Sequence, residues 1–140
     1  MEEALMPVFE NVEKMQEVVG GLFENLLNNP DFGAKFIKAD IIIKFNISEP
    51  SAELWVTPGD GTTGVVAWGK QEIKPTIEMT LSGDTCHKFW LQQISMPIAL
   101  AKGLIKAKGP MPKVLKLLPL LKPAYAAYPD WAQSHGLSIA

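Results

Sequence analysis

The period of the hydrophobic residues changes twice along the chain, and this constrains the fold more than any other feature. Over the first 28 residues, Leu5, Val8, Val12, Met15, Val19, Leu22 and Leu26 are spaced by alternating steps of three and four. That spacing lays them on one helical stripe, which either packs on its own domain or forms a coiled-coil seam between subunits. Gly20 and Gly21 weaken the helix and allow a bend. Asn28-Asn29-Pro30-Asp31 ends it, because the residue before proline avoids helical angles.

From Ile41 the period becomes two. Ile41, Ile43, Phe45 and Ile47 alternate with Ile42, Lys44 and Asn46, the pattern of a half-buried strand. After the turn Ser48-Glu49-Pro50-Ser51, Leu54 and Val56 point one way and Glu53, Trp55 and Thr57 the other. Val65 to Lys70 is a third strand. Ile77, Met79 and Leu81 alternate with Thr76, Glu78 and Thr80 in a fourth. Short links between the first three predict antiparallel pairing.

Helical spacing then returns. Ser82 or Asp84 can cap a helix reaching about Ile94, and Pro97 suits the start of a short helix to Lys102. Gly103 to Gly109 has glycine at both ends and alternates Ile105 and Ala107 with Lys106 and Lys108, which reads as a fifth strand. A last helix begins near Pro110, and Pro119 and Pro123 limit or kink it. On it Met111, Val114, Leu115 and Leu118 share a face, while Leu117 and Leu120 accompany Lys113 and Lys116. That is more apolar surface than one sheet contact needs. The surplus fits a lid or a membrane contact, or packing on the first helix or a second subunit. Strands grouped between helices give an α+β fold, with a mainly antiparallel five-stranded sheet covered on one face by helices. The 140 residues suffice for one domain, 1–140, with a real core.

Charge follows the same division. Thr85 to Pro129 contains seven lysines and no Asp or Glu, whereas residues 1–84 hold 14 acids against six lysines. The front is therefore −8 and this segment +7, with Asp130 completing the net −2. An apolar, basic segment suits an oily ligand with an anionic head, or an anionic membrane surface. The net charge and the absence of arginine argue against nucleic acid. Cys86 is the only cysteine, which excludes an intrachain disulfide and fits a reducing compartment. MEEALMPVFE lacks the basic start and apolar run of a signal peptide, and no apolar run approaches 18 residues. The expected location is the cytoplasm.

Two patterns that suggest chemistry have simpler readings. Gly59-Asp60-Gly61-Thr62-Thr63-Gly64 spells GxGxxG, but a strand rather than a helix follows, so it reads as a hairpin loop. Cys86 and His87 are adjacent, and on a helix neighbours point about 100° apart, so they cannot work as nucleophile and base. No spacing suggests a zinc site. No catalytic residue, metal ligand or cofactor is expected. Trp55 and Trp68 are placed on the sheet face away from the helices, with Lys44, Lys70 and Glu78, as a cross-strand pair or a homodimer interface.

Two stretches resemble a known family. Thr80-Leu81-Ser82-Gly83-Asp84 followed by Phe89-Trp90-Leu91 is similar to the strand-to-helix junction of the sterol carrier protein type-2 family. Gly103-Leu104-Ile105-Lys106-Ala107-Lys108-Gly109 resembles its glycine-bounded lysine strand, with Met111 to Leu121 as the leucine- and lysine-rich final helix. The resemblance covers about residues 10–122. It departs from the family at Leu104, Ala107 and Pro110, and the tail 123–140 is unmatched. It implies an apolar tunnel between sheet and helices, closed by the C-terminal helix, that binds fatty acids, fatty acyl-CoA, sterols or phospholipids without catalysis. It also implies roles in lipid transfer or as an accessory module of a lipid enzyme. The implied tunnel residues are Ile77, Met79, Leu81, Phe89, Trp90, Met96, Ile98, Leu100, Ile105, Met111, Leu115 and Leu118. Lys106, Lys108, Lys113 and Lys116 are then expected to meet a lipid head group or an anionic membrane.

Overall fold

Asn11 fixes where the helical region begins. The computed structural model describes residues 7–139, so Leu5 and the rest of the first six residues lie outside the described residues. The Asn11 side chain accepts from Lys14 N, and α1 (Val12–Met15) starts there. A π-helical turn (Gln16–Gly20) joins it to α2 (Gly21–Asn28). Met15, Val19, Leu22 and Leu26 are buried along this run, as their spacing predicts. Asn29 then ends α2 and caps a helix missing from the sequence reading, α3 (Pro30–Ala39): its side chain accepts from Asp31 N and Phe32 N. Pro30 stops one helix and starts the next, because proline is tolerated at the first helical position.

The sheet contains β1 (Ile43–Ser48), β2 (Ala52–Thr57), β3 (Val65–Trp68), β4 (Ile77–Ser82) and β5 (Lys106–Lys108), in the order β3-β2-β1-β4-β5. β1–β2, β2–β3 and β4–β5 are antiparallel, and the central β1–β4 pair is parallel. The GxGxxG segment is the loop between β2 and β3. Gly103 and Gly109 flank β5 with φ of 73° and 139°, angles that residues with a Cβ adopt only with strain.

Register decides which side chains face the helices. Ile43, Phe45 and Ile47 share their face with Leu54 and Val56 and with Ile77, Met79 and Leu81, and all are buried. Trp68 pairs with Leu54, which puts it on this inner face, where its indole packs against Gly20. The sequence reading placed Trp68 outward, and the register corrects it. Trp55 does point outward, opposite Lys44, but is only 3% exposed, with Lys44 Nζ 5.3 Å from the ring centroid. The two tryptophans therefore do not form one exposed interface.

Ser82 caps α4 (Gly83–Trp90) through Thr85 N. Asp84 instead accepts from Val8 N at 2.8 Å, joining the start of α4 to the segment before α1. α5 (Met96–Ala101), α6 (Met111–Leu120) and α7 (Lys122–Ser134) complete the helical side. Phe23 of α2 bridges Phe45 of the sheet and Trp90 of α4, with ring centroids 5.8 and 5.5 Å away. These rings fill the layer between sheet and helices there.

α7 is the largest departure from expectation. Pro123 lies in its first turn, Pro129 lies within it, and Ala124, Tyr128 and Ala132 are buried. The Trp131 indole packs on Gly21, and its Nε1–H donates to Val18 O at 2.8 Å. The buried seam of α6 is Val114, Leu117 and then Leu121, not Met111, Leu115 and Leu118. α6 packs against α3 and α7, two helices absent from the sequence reading, and these turn Leu117 inward.

Candidate functional site

An apolar cleft opens where α5, α6 and α7 meet the end of α4. Its volume is about 570 Å³, within the range of small-molecule sites. Phe89 closes α4's side of it, and Met96 and Pro97 come from the start of α5. Ser95 caps α5 through Ile98 N. Leu115, Leu118 and Pro119 of α6 also line it, as do Lys122 and Tyr125 of α7, one helical turn apart. Gln92 and Ile94 complete the lining from the link between α4 and α5.

The Tyr125 ring packs edge-on against Phe89 with centroids 5.4 Å apart, and burial pushes its phenol up to about 12. It therefore remains a neutral hydroxyl at neutral pH. Among the described residues, Lys122 is the one charged residue in the lining, and no acid, histidine or cysteine is among them. Such a wall can shield a hydrocarbon chain and hold an anion, but offers no nucleophile–base pair.

The implied site residues divide into three groups. Phe89, Met96, Leu115 and Leu118 line the cleft. Ile77, Met79, Leu81, Trp90 and Ile105 are buried in the core and do not line it, and Leu100 is half-buried against the same core. Ile98 and Met111 are 51% and 60% exposed beside the cleft residues Pro97 and Leu115. The lysines separate as well. Lys106 and Lys108 pair with Thr80 and Glu78, so they stand on the sheet's outer face. Lys113 is half-buried and Lys116 exposed on α6.

Lys122, Tyr125, Gln92 and Ser95 were not nominated by sequence. Lys122-Pro123-Ala124-Tyr125 reads as a helix start once Pro123 is taken as an opening rather than a stop. That reading would have put Lys122 and Tyr125 on one face.

Cys86 and His87 serve the core. Cys86 is buried, which pushes its thiol up to about 12. His87 Nε2 lies 2.8 Å from Ser138 O and Nδ1 2.7 Å from the Tyr128 hydroxyl. Among the described residues, no group of three His, Cys, Asp or Glu is placed to hold a metal. No described helix is long and apolar enough to cross a membrane.

Helices packed against one face of a five-stranded sheet in the order β3-β2-β1-β4-β5 define an α+β fold class. The particular fold is that of sterol carrier protein 2. The apo structure of sterol carrier protein 2 from Yarrowia lipolytica superposes with a TM-score of 0.64 at 22% identity, covering 79% of this chain and 92% of that one. The solution structure of sterol carrier protein domain 2 of Helicoverpa armigera gives 0.66 at 19% identity, covering 81% and 89%. The stereoselective inverting sec-alkylsulfatase Pisa1 from Pseudomonas sp. gives 0.57 at 17% identity, covering 70% of this chain but only 15% of that enzyme. No protein-family model matches the sequence, and comparison with curated proteins gives no match.

Proposed function

We propose that this protein binds a lipid non-covalently, with the apolar tail between α5, α6 and α7 and an anionic head near Lys122. The observation that carries this reading is the cleft itself: an open apolar space whose one charged lining residue, among the described residues, is a lysine. Each buried CH₂ of the tail contributes about 0.8 kcal/mol, so affinity rises with chain length. Fatty acids, fatty acyl-CoA, sterols and phospholipids share the apolar requirement, and Lys122 favours those with a carboxylate or phosphate. Transfer between membranes would require the same mouth to face a bilayer.

The test is to purify the protein without denaturant, extract it with organic solvent and analyse the extract by mass spectrometry. A near-stoichiometric lipid is expected. An empty extract, joined to failure to take up a fluorescent fatty acid, would sink the reading. It would favour the second one, an accessory or homodimeric module, to which the Pisa1 match, with this fold as a small share of a longer enzyme, lends support.

A further inference from the structure

Six large hydrophobic side chains are exposed among the described residues, and four of them, Ile98, Leu104, Met111 and Leu115, lie in the acid-free segment. Three of the four border one mouth. Pro97 and Leu115 both line the cleft; Ile98 follows Pro97 on α5, and Met111 lies one turn before Leu115 on α6. Leu104 sits in the turn after α5.

α6 shows why this is more than scattered exposure. With Val114 and Leu117 turned to the core, its exposed residues are Met111, Pro112, Leu115, Lys116 and Pro119. At 100° per residue these occupy one continuous arc, from Met111 through Leu115, Pro119 and Pro112 to Lys116. The solvent side of the helix is therefore apolar with a lysine at its edge, the reverse of an ordinary surface helix. Among the described residues the cleft lining has no acid, and its Lys122 adds a cation to Lys116 of the helix surface.

We infer that the lips of the cleft, Ile98 on α5 and the Met111–Leu115 side of α6, form a docking face for an anionic phospholipid bilayer. The face rests on the cleft reading for its position at a lipid's entrance, but not for the identity of any bound lipid. Apolar side chains enter the boundary between head groups and acyl chains, while Lys116 and Lys122 meet lipid phosphates and carboxylates. The occupant is assigned by charge. A protein partner would need only an apolar patch, whereas apolar lips with lysines, and no acid among the described lining residues, match a negatively charged, oily surface.

The test is flotation of the full chain with vesicles of phosphatidylcholine alone, and of phosphatidylcholine mixed with phosphatidylserine. Stronger binding to the mixed vesicles, weakened by salt, is expected. Ile98→Asp combined with Met111→Asp should reduce that binding by more than about tenfold. Lys116→Glu reverses one charge, and at about fivefold per charge should weaken it about 25-fold at low salt. None of these residues lines the cleft, so each variant should still bind a fluorescent fatty acid in solution. Circular dichroism melts confirm that the variants fold. Equal binding to both vesicle types, no binding, or variants that bind like the parent would overturn the docking face, as would joint loss of vesicle and fatty-acid binding. A parent chain that docks on vesicles but takes up no fatty acid leaves the docking face standing and removes only the cleft reading.

Discussion

His87 shows how a reactive-looking residue is consumed by structure. Ser138 O can only accept, so Nε2 carries the ring proton and donates to it, and Nδ1 then accepts from the Tyr128 hydroxyl. This neutral tautomer satisfies both ring nitrogens in a site that is only 4% exposed. Burial lowers the His87 pKa below its ordinary value, opposed by the Ser138 bond and the Asp84 charge. In the unfolded chain an imidazole takes up a proton near about 6.5. Just below that pH the unfolded state binds more protons than the folded one, so stability falls as pH falls. The contribution is fully present above about 6.5 and is lost as pH drops toward the lower folded value. Urea denaturation midpoints measured from about pH 7 down to about pH 5 should decline, and His87→Gln should flatten that decline. An unchanged slope in the variant would show that other groups cause the acid sensitivity.

Among the elements, the packing of α7 on α2 gives the clearest test. Replacing a mid-helix glycine by alanine usually stabilises by about 1 kcal/mol. At Gly21 the new Cβ would meet Trp131 Cζ2 at 2.8 Å, and overpacking of this kind costs about 1–3 kcal/mol. Gly21→Ala should therefore destabilise the parent chain but stabilise a Trp131→Ala background, a sign reversal that a double-mutant cycle in urea reads directly. If the change has the same sign in both backgrounds, the indole contact is not what requires glycine. The same contact explains what could be foreseen. Alternation over Ile41–Ile47, Leu54–Val56 and Ile77–Leu81 specified those strands and their buried face, because a period of two has one meaning in a half-buried sheet, whereas the less regular run Val65 to Lys70 left the side of Trp68 to the register. Proline in the helical regions has two. Pro30 and Pro123 were read as stops, yet each sits in the first turn of a helix, and so α3 and α7 were missed. Without α7 there was no Lys122–Tyr125 pair and no third wall for the cleft. Ile77, Met79 and Leu81, which the resemblance implied, are buried in the core and do not line the cleft, whereas Gln92, Ser95, Lys122 and Tyr125 do.

For the whole molecule, the uneven charge and the position of the cleft make a linked prediction. The acids are concentrated in residues 1–84, which build α1 to α3 and four of the five strands, while the cleft walls come from the segment without acids. The cleft walls are the outer sides of α4 to α7, whose inner sides carry core residues such as Trp90, Leu117 and Tyr128. A lipid that binds only the folded state must then raise stability by mass action. At a free concentration about 100 times its Kd, the gain is about 2.7 kcal/mol. Near this chain length each kcal/mol moves the melting temperature by roughly 2–4 °C, so a rise of about 5–10 °C is expected with a long-chain fatty acid. Leu115→Asp should remove the shift, because it puts an anion into the lining at a side chain 59% exposed, where the fold itself has little to lose. Lys122→Ala separates head from tail. It should reduce the shift given by the fatty acid while leaving that of the matching fatty alcohol unchanged, since only the acid carries a charge for the lysine to hold. Equal losses for acid and alcohol would mean that Lys122 supports the wall through its alkyl stem rather than the head group. No shift with either ligand in the parent chain would mean that neither binds the folded state, and would remove the cleft reading.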